Sequence, residues 1–255
     1  MLKIALSGCS GRMGHVIADI VSQREDIQIV AGFDINTAKY ADFPIFSDPF
    51  EFQGKCDVMI DFSNVACTEQ LLRYCEKHYT PIVLCTTGHS PAQLQRIREA
   101  SAAVPVFRSG NMSLGINLMS DLLGKCAAVL GERYDVEVIE KHHNQKLDAP
   151  SGTALMLADA VAAALPYQPA YVYDRHTRRE KRPAHEIGIS TIRGGTIVGE
   201  HSVLFCGRDE IIEIKHTALS REVFAVGAVD AAVFMAGCTQ PGMYDMNDVI
   251  AARGV

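Results

Sequence analysis

The chain has no block or stripe of basic side chains, and its 255 residues carry a net charge of −6. Nucleic acid is therefore not expected as a main partner. The one cationic cluster, RHTRREKR at positions 175–182, reads as a solvated loop. No apolar run reaches about 18 residues, so no membrane-spanning helix is expected. The N-terminus runs straight into a strand-like segment, so no signal peptide is expected. The eight cysteines include no C-x-x-C pair. Most, such as Cys56, Cys75 and Cys126, sit in apolar segments, as reduced core residues of a cytoplasmic protein do. Internal repeats and low-complexity segments are also missing. What remains is a globular chain, 48% hydrophobic and 21% charged, long enough for one large domain or two small ones.

Strand and helix patterns alternate through the first half. LKIALS (2–7) reads as a buried strand, GCSGRMG (8–14) as a glycine-rich turn and HVIADIVSQ as a helix. This is the order of a dinucleotide-binding unit. The spacing is G-x-x-G-x-x-G through Gly8, Gly11 and Gly14, with Ser10 where the common fingerprint has its second glycine. Cys9 serves there as a small side chain with a usable backbone N–H. The strand IQIVAGF then leads to Asp34, twenty residues beyond Gly14. That is where an acidic residue would accept hydrogen bonds from the adenine ribose. Further strands are read at 56–62, 81–87 and 104–109, with helices after the first two. Ser90, Pro91 and Gln93 supply an N-cap, a first-turn proline and a capping-box glutamine. Such repeats predict a parallel sheet with helices on both faces and ligands off the carboxyl ends of its strands.

The second half changes pattern. A helix is expected near 113–130, then strands near 134–142, 187–193, 196–206 and 210–217. Gly194–Gly195 and Gly207–Arg208–Asp209 read as turns that make the last three an antiparallel meander. Positions 166–186 read as a long loop, and a helix resumes near 220 before a short tail. The densest chemistry lies in HHNQKLDAPSGTA (142–154). Adjacent strand residues face opposite ways, so His142 and His143 should diverge, which argues against both chelating one metal ion. Lys146 follows in the loop. Ser151 is a good N-cap, and the amides of Gly152 and Thr153 would suit a carboxylate or phosphate.

These strings resemble the 4-hydroxy-tetrahydrodipicolinate reductase (dihydrodipicolinate reductase) family of the bacterial and plant lysine pathway. The likeness runs through GCSGRMG, CTTG (85–88), SGNMSLGIN (109–117), HHNQKLDAPSGTA, RGGTIVGEH (193–201) and IEIKHTALSREVFAVGA (212–228), essentially the whole chain. The resemblance implies an α/β fold. Residues 1–112 with 223–255 would form a Rossmann-like parallel-sheet cofactor domain. Residues 113–222 would form an inserted α+β domain with a mixed sheet, for substrate binding and oligomerisation. It implies NAD(P)H-dependent reduction of a small dicarboxylate heterocycle, 4-hydroxy-tetrahydrodipicolinate, to tetrahydrodipicolinate in lysine and diaminopimelate biosynthesis, by a homotetramer with no metal, membrane or nucleic acid.

By position, His142 matches the family's proton donor or acceptor and Lys146 its second proton donor. His143, Gly152 and Thr153 match substrate-binding positions. Gly8, Cys9, Ser10, Gly11, Arg12, Met13, Asp34, Cys85, Thr86, Thr87, Ser109, Gly110, Asn111 and Met112 match the cofactor-facing loops. Two departures stand out. Cys9 and Ser10 replace the common small Ala and Gly. Asp34 is followed by Ile35 and Asn36, where some relatives carry an arginine for the NADPH phosphate, which favours NADH; Arg12 or Lys39 could still reach that phosphate. Aspartate-semialdehyde and homoserine dehydrogenases share the two-domain plan but need other catalytic sets. An inactive nucleotide-binding sensor would not need His142 and Lys146.

Overall fold

The computed structural model describes residues 1–254 and divides into two compact units, Met1–Ser113 with Glu222–Val255, and Leu114–Arg221. The first unit begins β1 (Leu2–Ser7), α1 (Arg12–Ser22), β2 (Ile27–Phe33), β3 (Ile45–Phe46), β4 (Val58–Asp61), α2 (Thr68–His78), β5 (Ile82–Leu84), α3 (Pro91–Ala100) and β6 (Pro105–Arg108). The second holds α4 (Leu114–Leu130), β7 (Asp135–His142), α5 (Gly152–Ala164), β8 (Ala170–Val172), β9 (Glu186–Arg193), β10 (Gly199–Cys206) and β11 (Ile211–Ala218). The chain then completes the first unit with α6 (Glu222–Ala236), β12 (Gly242–Tyr244) and α7 (Met246–Ala251).

The first unit is built on a seven-stranded sheet in the order β12-β6-β5-β4-β1-β2-β3. Every pairing in it is parallel. The central strands VMID and IVL are buried along their whole length, because helices cover both faces. One face packs Ala5, Met59 and Leu84 against Leu71, Leu72 and Tyr74 of α2 and Ile97 of α3. The other receives α1 and α6. A Cβ on Gly227 of α6 would lie 1.7 Å from the Met112 carbonyl oxygen, so glycine is what allows that helix its close approach. The short tail after α6 adds edge strand β12 and helix α7. A capping box starts α7: the Asp245 carboxylate accepts from Asn247 N–H, and Asp248 accepts from Asp245 N–H.

The second unit carries a mixed five-stranded sheet, β11-β10-β7-β9-β8. Here the expected meander is corrected. β10 and β11 form a hairpin, but β7 lies between β10 and β9, and β9 runs parallel to β7. The Gly194–Gly195 turn therefore crosses the end of β7 rather than folding β9 onto β10. Gly194 N–H donates to the His142 carbonyl, and Asn144 N–H donates to that of Gly195. α4 and α5 cover one face, with Met119, Leu123, Leu157 and Val161 packed on Val136, Val138, Val203 and Phe205.

Two further expectations bear on this unit. The helical segment Leu114–Arg133 spans 20 residues and is long and apolar enough to cross a membrane by length and composition. Its charges Asp121 and Lys125 interrupt the apolar run yet pair with each other at 2.7 Å, and its apolar stripe belongs to this unit's core. The basic cluster at 175–182 is a largely exposed loop, as read, but three of its arginines also staple it to the sheet. Arg175 pairs with Glu137 and Glu186, Arg178 with Glu186, and Arg182 with Asp135 and Glu137.

Candidate active site

At the carboxyl edge of the parallel sheet the glycine turn is shaped by sterics. Gly8 has φ +77°, and a Cβ there would lie 2.5 Å from the Phe62 carbonyl oxygen. A Cβ on Gly14 would lie 2.3 Å from the Gly8 carbonyl oxygen. Glycine is what lets α1 start this close to the strand end. Gly11 caps α1 without a side-chain hydrogen bond, so the first-turn amides at Arg12 and Met13 point to where an anion would sit. The Cys9 thiol packs inward over Gly32. Burial, with a small push from Asp34, moves it up to about 11 despite help from Ser10. The buried thiol stays protonated at neutral pH, and the backbone is what Cys9 presents. Tyr40 Oη donates to the Cys9 carbonyl at 2.6 Å, a clasp that sequence reading missed.

Asp34 follows β2. Its Oδ2 accepts from Ser10 N–H at 3.0 Å and its Oδ1 from Asn36 N–H at 3.1 Å. Gly8, Gly11, Asp34, Ile35, Ser63 and Gln70 are among the residues lining a cavity of about 290 Å³ beside this turn. Cys85, Thr86 and Thr87 follow β5, and Ser109, Gly110, Asn111 and Met112 follow β6. The fold thus gathers every cofactor-loop candidate on one sheet edge. The cradle that a Cβ would fill, the uncapped helix start and the carboxylate at the second strand end fit a dinucleotide.

The second unit holds the other cluster. β7 alternates, with Val136, Val138, Glu140 and His142 all buried on the helix-covered face. His142 Nδ1 lies 2.5 Å from Glu140 Oε2, while His143 Nε2 lies 3.2 Å from an Arg221 nitrogen. The two imidazoles do diverge. Glu140 is fully buried and takes both terminal guanidinium nitrogens of Arg193 at 2.8 Å, Ser151 N–H at 3.0 Å and Thr191 Oγ1 at 3.2 Å. Burial raises this carboxyl, but the donors from Arg193, His142 and Ser151 outweigh it and hold it at about 2. His142 is moved down by burial, while Glu140 pulls it partly back.

Ser151 caps α5 by accepting from Ala154 N–H, and its hydroxyl meets His201 Nε2 at 3.1 Å. Lys146 Nζ pairs with Asp148 Oδ1 at 2.8 Å. Lys146 and the Gly152 amide hold the Asp148 carboxyl below its usual range. The start of α5 is therefore met by the chain's own carboxylates, Glu140 on Ser151 and Asp148 beside Gly152. A Cβ on Gly152 would touch nothing within 4 Å, so the space next to that helix end is open.

The profile described as dihydrodipicolinate reductase, N-terminus, matches residues 2–112, and its C-terminal counterpart matches residues 115–250. The chain belongs to the dihydrodipicolinate reductase family. It is 48% identical over 250 residues to the 4-hydroxy-tetrahydrodipicolinate reductase of Caldanaerobacter subterraneus, covering 98% of each chain. It is 49% identical over 253 residues to that of Clostridium novyi, covering 99% of this chain and all of the relative. Among solved structures it resembles a dipicolinate-bound dihydrodipicolinate reductase from Paenisporosarcina sp. TG-14, with a TM-score of 0.79, 24% identity and 97% and 99% of the two chains covered. A probable dehydrogenase from Thermotoga maritima shares the fold at a TM-score of 0.63 and 12% identity, with 98% and 93% covered.

The family, the Rossmann-like fold with its mixed-sheet partner, and the reductase activity expected from the sequence all agree with these matches. In this chain, sequence reading had passed over Glu140, Arg193 and His201. Strand parity was the available signal. Glu140 and His142 share a face with Val136 and Val138, and His201 shares one with Val203 and Phe205.

Proposed function

We propose that this chain reduces 4-hydroxy-tetrahydrodipicolinate to tetrahydrodipicolinate with NADH preferred over NADPH, that Lys146 and His142 manage the proton, and that His143, Gly152 and Thr153 hold the substrate. Family membership makes the chain a 4-hydroxy-tetrahydrodipicolinate reductase of lysine and diaminopimelate biosynthesis. The observation that carries the reading of the site is the placement of Lys146, His142 and the open start of α5 around one loop. NAD(P)H supplies the hydride when bound. The glycine turn, Arg12, Met13 and Asp34 would hold it, with Cys85–Thr87 and Ser109–Met112 beside it. The Lys146 ammonium would offset negative charge arising on the reduced ring. The His142 imidazole can accept a proton and pass it on. His143 suits a ring carboxylate, and a carboxylate displacing Asp148 would meet the Gly152 amide; the Paenisporosarcina relative is described with dipicolinate, a dicarboxylate, bound.

The cofactor preference rests on Asp34. Its carboxylate is fixed by two backbone donors, so a 2′-phosphate there would meet a fixed negative charge, and the next residue is an exposed Ile35. The test is NADH oxidation on mixing the protein with pyruvate, aspartate semialdehyde and the preceding synthase, repeated with NADPH. Absence of turnover with either cofactor would overturn the activity. An NADPH kcat/KM more than about tenfold above that for NADH, roughly 1.4 kcal/mol, would overturn the preference.

The eight free cysteines suit a reducing, cytoplasmic setting. A homotetramer is also part of this reading, joined through the face of the mixed sheet opposite α4 and α5.

A further inference from the structure

We propose that Glu140 is a positioning residue for the reduction: it fixes His142 in the tautomer whose Nε2 is bare and leaves that nitrogen as the one that handles the proton. The inference rests on His142 taking part in proton transfer, and it names which atom does so and what sets it.

The tautomer follows from counting donors and acceptors. Glu140 lies at the centre of five contacts, from two nitrogens of Arg193, Ser151 N–H, Thr191 Oγ1 and His142 Nδ1, all between 2.5 and 3.2 Å. The first four partners are donors, and an ionised carboxylate can only accept. His142 Nδ1 must therefore carry its hydrogen toward Glu140 Oε2. In a neutral ring, Nε2 then has the lone pair. A Cβ on Gly199 would stand 3.2 Å from His142 Nε2, so glycine at this inward position of β10 leaves the nitrogen approachable.

The same carboxylate also fixes where the ring sits. Glu140 joins β7 to β9 through Thr191 and Arg193, and to the start of α5 through Ser151. Arg193 reaches on to the Asp148 carbonyl at 2.6 Å, in the loop that bears Lys146. One buried anion thus ties the imidazole, the helix cap and the Lys146 loop into one frame. Over a turnover the imidazole is unchanged: Nε2 takes a proton originating in solvent and passes it on to the ring being reduced.

The groups facing His142 come from every neighbouring element. They are Glu140 on β7, Arg193 on β9, His201 on β10 with His216 of β11 behind it, and Lys146 and Asp148 in the loop. His201 packs edge-on to His142 with ring centroids 5.1 Å apart and is kept neutral by burial, down at about 4. Glu140 supplies the negative charge touching the ring. Removing it leaves Arg193 unneutralised beside the imidazole, so both changes drive the His142 ionisation to lower pH.

The experiment combines kinetics with ¹⁵N NMR of histidine-labelled protein. In the unmodified enzyme the His142 signals should show a protonated Nδ1 and a bare Nε2; the opposite tautomer overturns the proposal without any variant. Glu140→Gln should lower kcat by at least about tenfold while KM moves less than about threefold. Its His142 titration and the matching limb of the kcat pH profile should move together to lower pH. A folded Glu140→Gln enzyme with unchanged tautomer, limb and kcat overturns the proposal. If His142→Ala itself keeps normal turnover, the role given to His142 is what fails. If Glu140→Gln does not fold, the tautomer of the unmodified enzyme decides.

Discussion

Lys146 and His142 are held in different ways, and their variants should report the difference. His142 is locked by Glu140 within a buried network, whereas Lys146 sits in a loop against the exposed carboxylate of Asp148. Both alanine variants should lose about 10²- to 10⁴-fold in kcat, the usual range for a positioned proton donor, with cofactor affinity nearly unchanged. His143→Ala should instead raise KM more than it lowers kcat, as expected when a ground-state contact is lost. Steady-state kinetics on each variant, with circular dichroism to verify folding, provide the check. Near-normal turnover in folded Lys146→Ala would leave it a solvated loop residue. Single side chains were legible in sequence where a short string confines them, as HHNQK does. Glu140 and Arg193 lie 53 positions apart, and only the pairing of β7 with β9 brings them together. No local pattern encodes that meeting, although the two-residue period of β7 already placed Glu140 on the buried side.

Elements were legible where local chemistry decides them. The capping box of α3 forms as read, with Gln93 N–H on Ser90 Oγ and Ser90 N–H on Gln93 Oε1, and Ser151 caps α5. The run of longer parallel strands was legible because each centres on a short apolar stretch bounded by turn residues. Strand order in the mixed sheet was not, since two glycines after β9 signal a turn but not which strand the chain turns toward. Short β3, β8 and β12 have two or three residues each, too few for a period. The mixed sheet also leaves a face opposite α4 and α5. On it Ile192 and Ile211 are 46% and 64% exposed, beside a ladder of Lys141 and Lys215 on Glu200. An exposed face mixing isoleucines with paired charges suits burial against another copy. In the proposed tetramer, Ile192→Glu with Ile211→Glu should break assembly, because each added carboxylate would be desolvated without a partner. Light scattering should show four copies in the parent and fewer in the variant. A monomeric parent, or a variant that stays tetrameric, would contradict the sheet-mediated assembly.

The stability of the molecule as a whole should fall in mild acid, and four buried or half-buried imidazoles set the window. His89, His142, His201 and His216 are all moved down by burial, so each is neutral in the fold and takes up a proton more readily once unfolded. Their stabilisation is fully present above the unfolded value of 6.5 and is lost as pH falls toward the folded one, about 4 for His201. Carboxylates act elsewhere. Glu140, held at about 2 against 4.5, gives up its contribution only between those values. Asp61, raised by burial, has the opposite sign and loses stability as pH rises through its folded value, so it cannot produce a loss on acidification. His201 has the largest assigned share because it is almost wholly enclosed, 4% exposed, with Nδ1 buried and unpartnered. It should account for roughly 3 kcal/mol across its window. Urea denaturation at pH 7 and pH 4.5 should therefore show a marked drop in the parent protein. In His201→Gln the drop should shrink by about 2 kcal/mol, even if that variant starts less stable at pH 7. Equal drops in the two proteins would mean that His201 is charged in the fold or still enclosed in the unfolded chain, and the acid limb would belong to other groups.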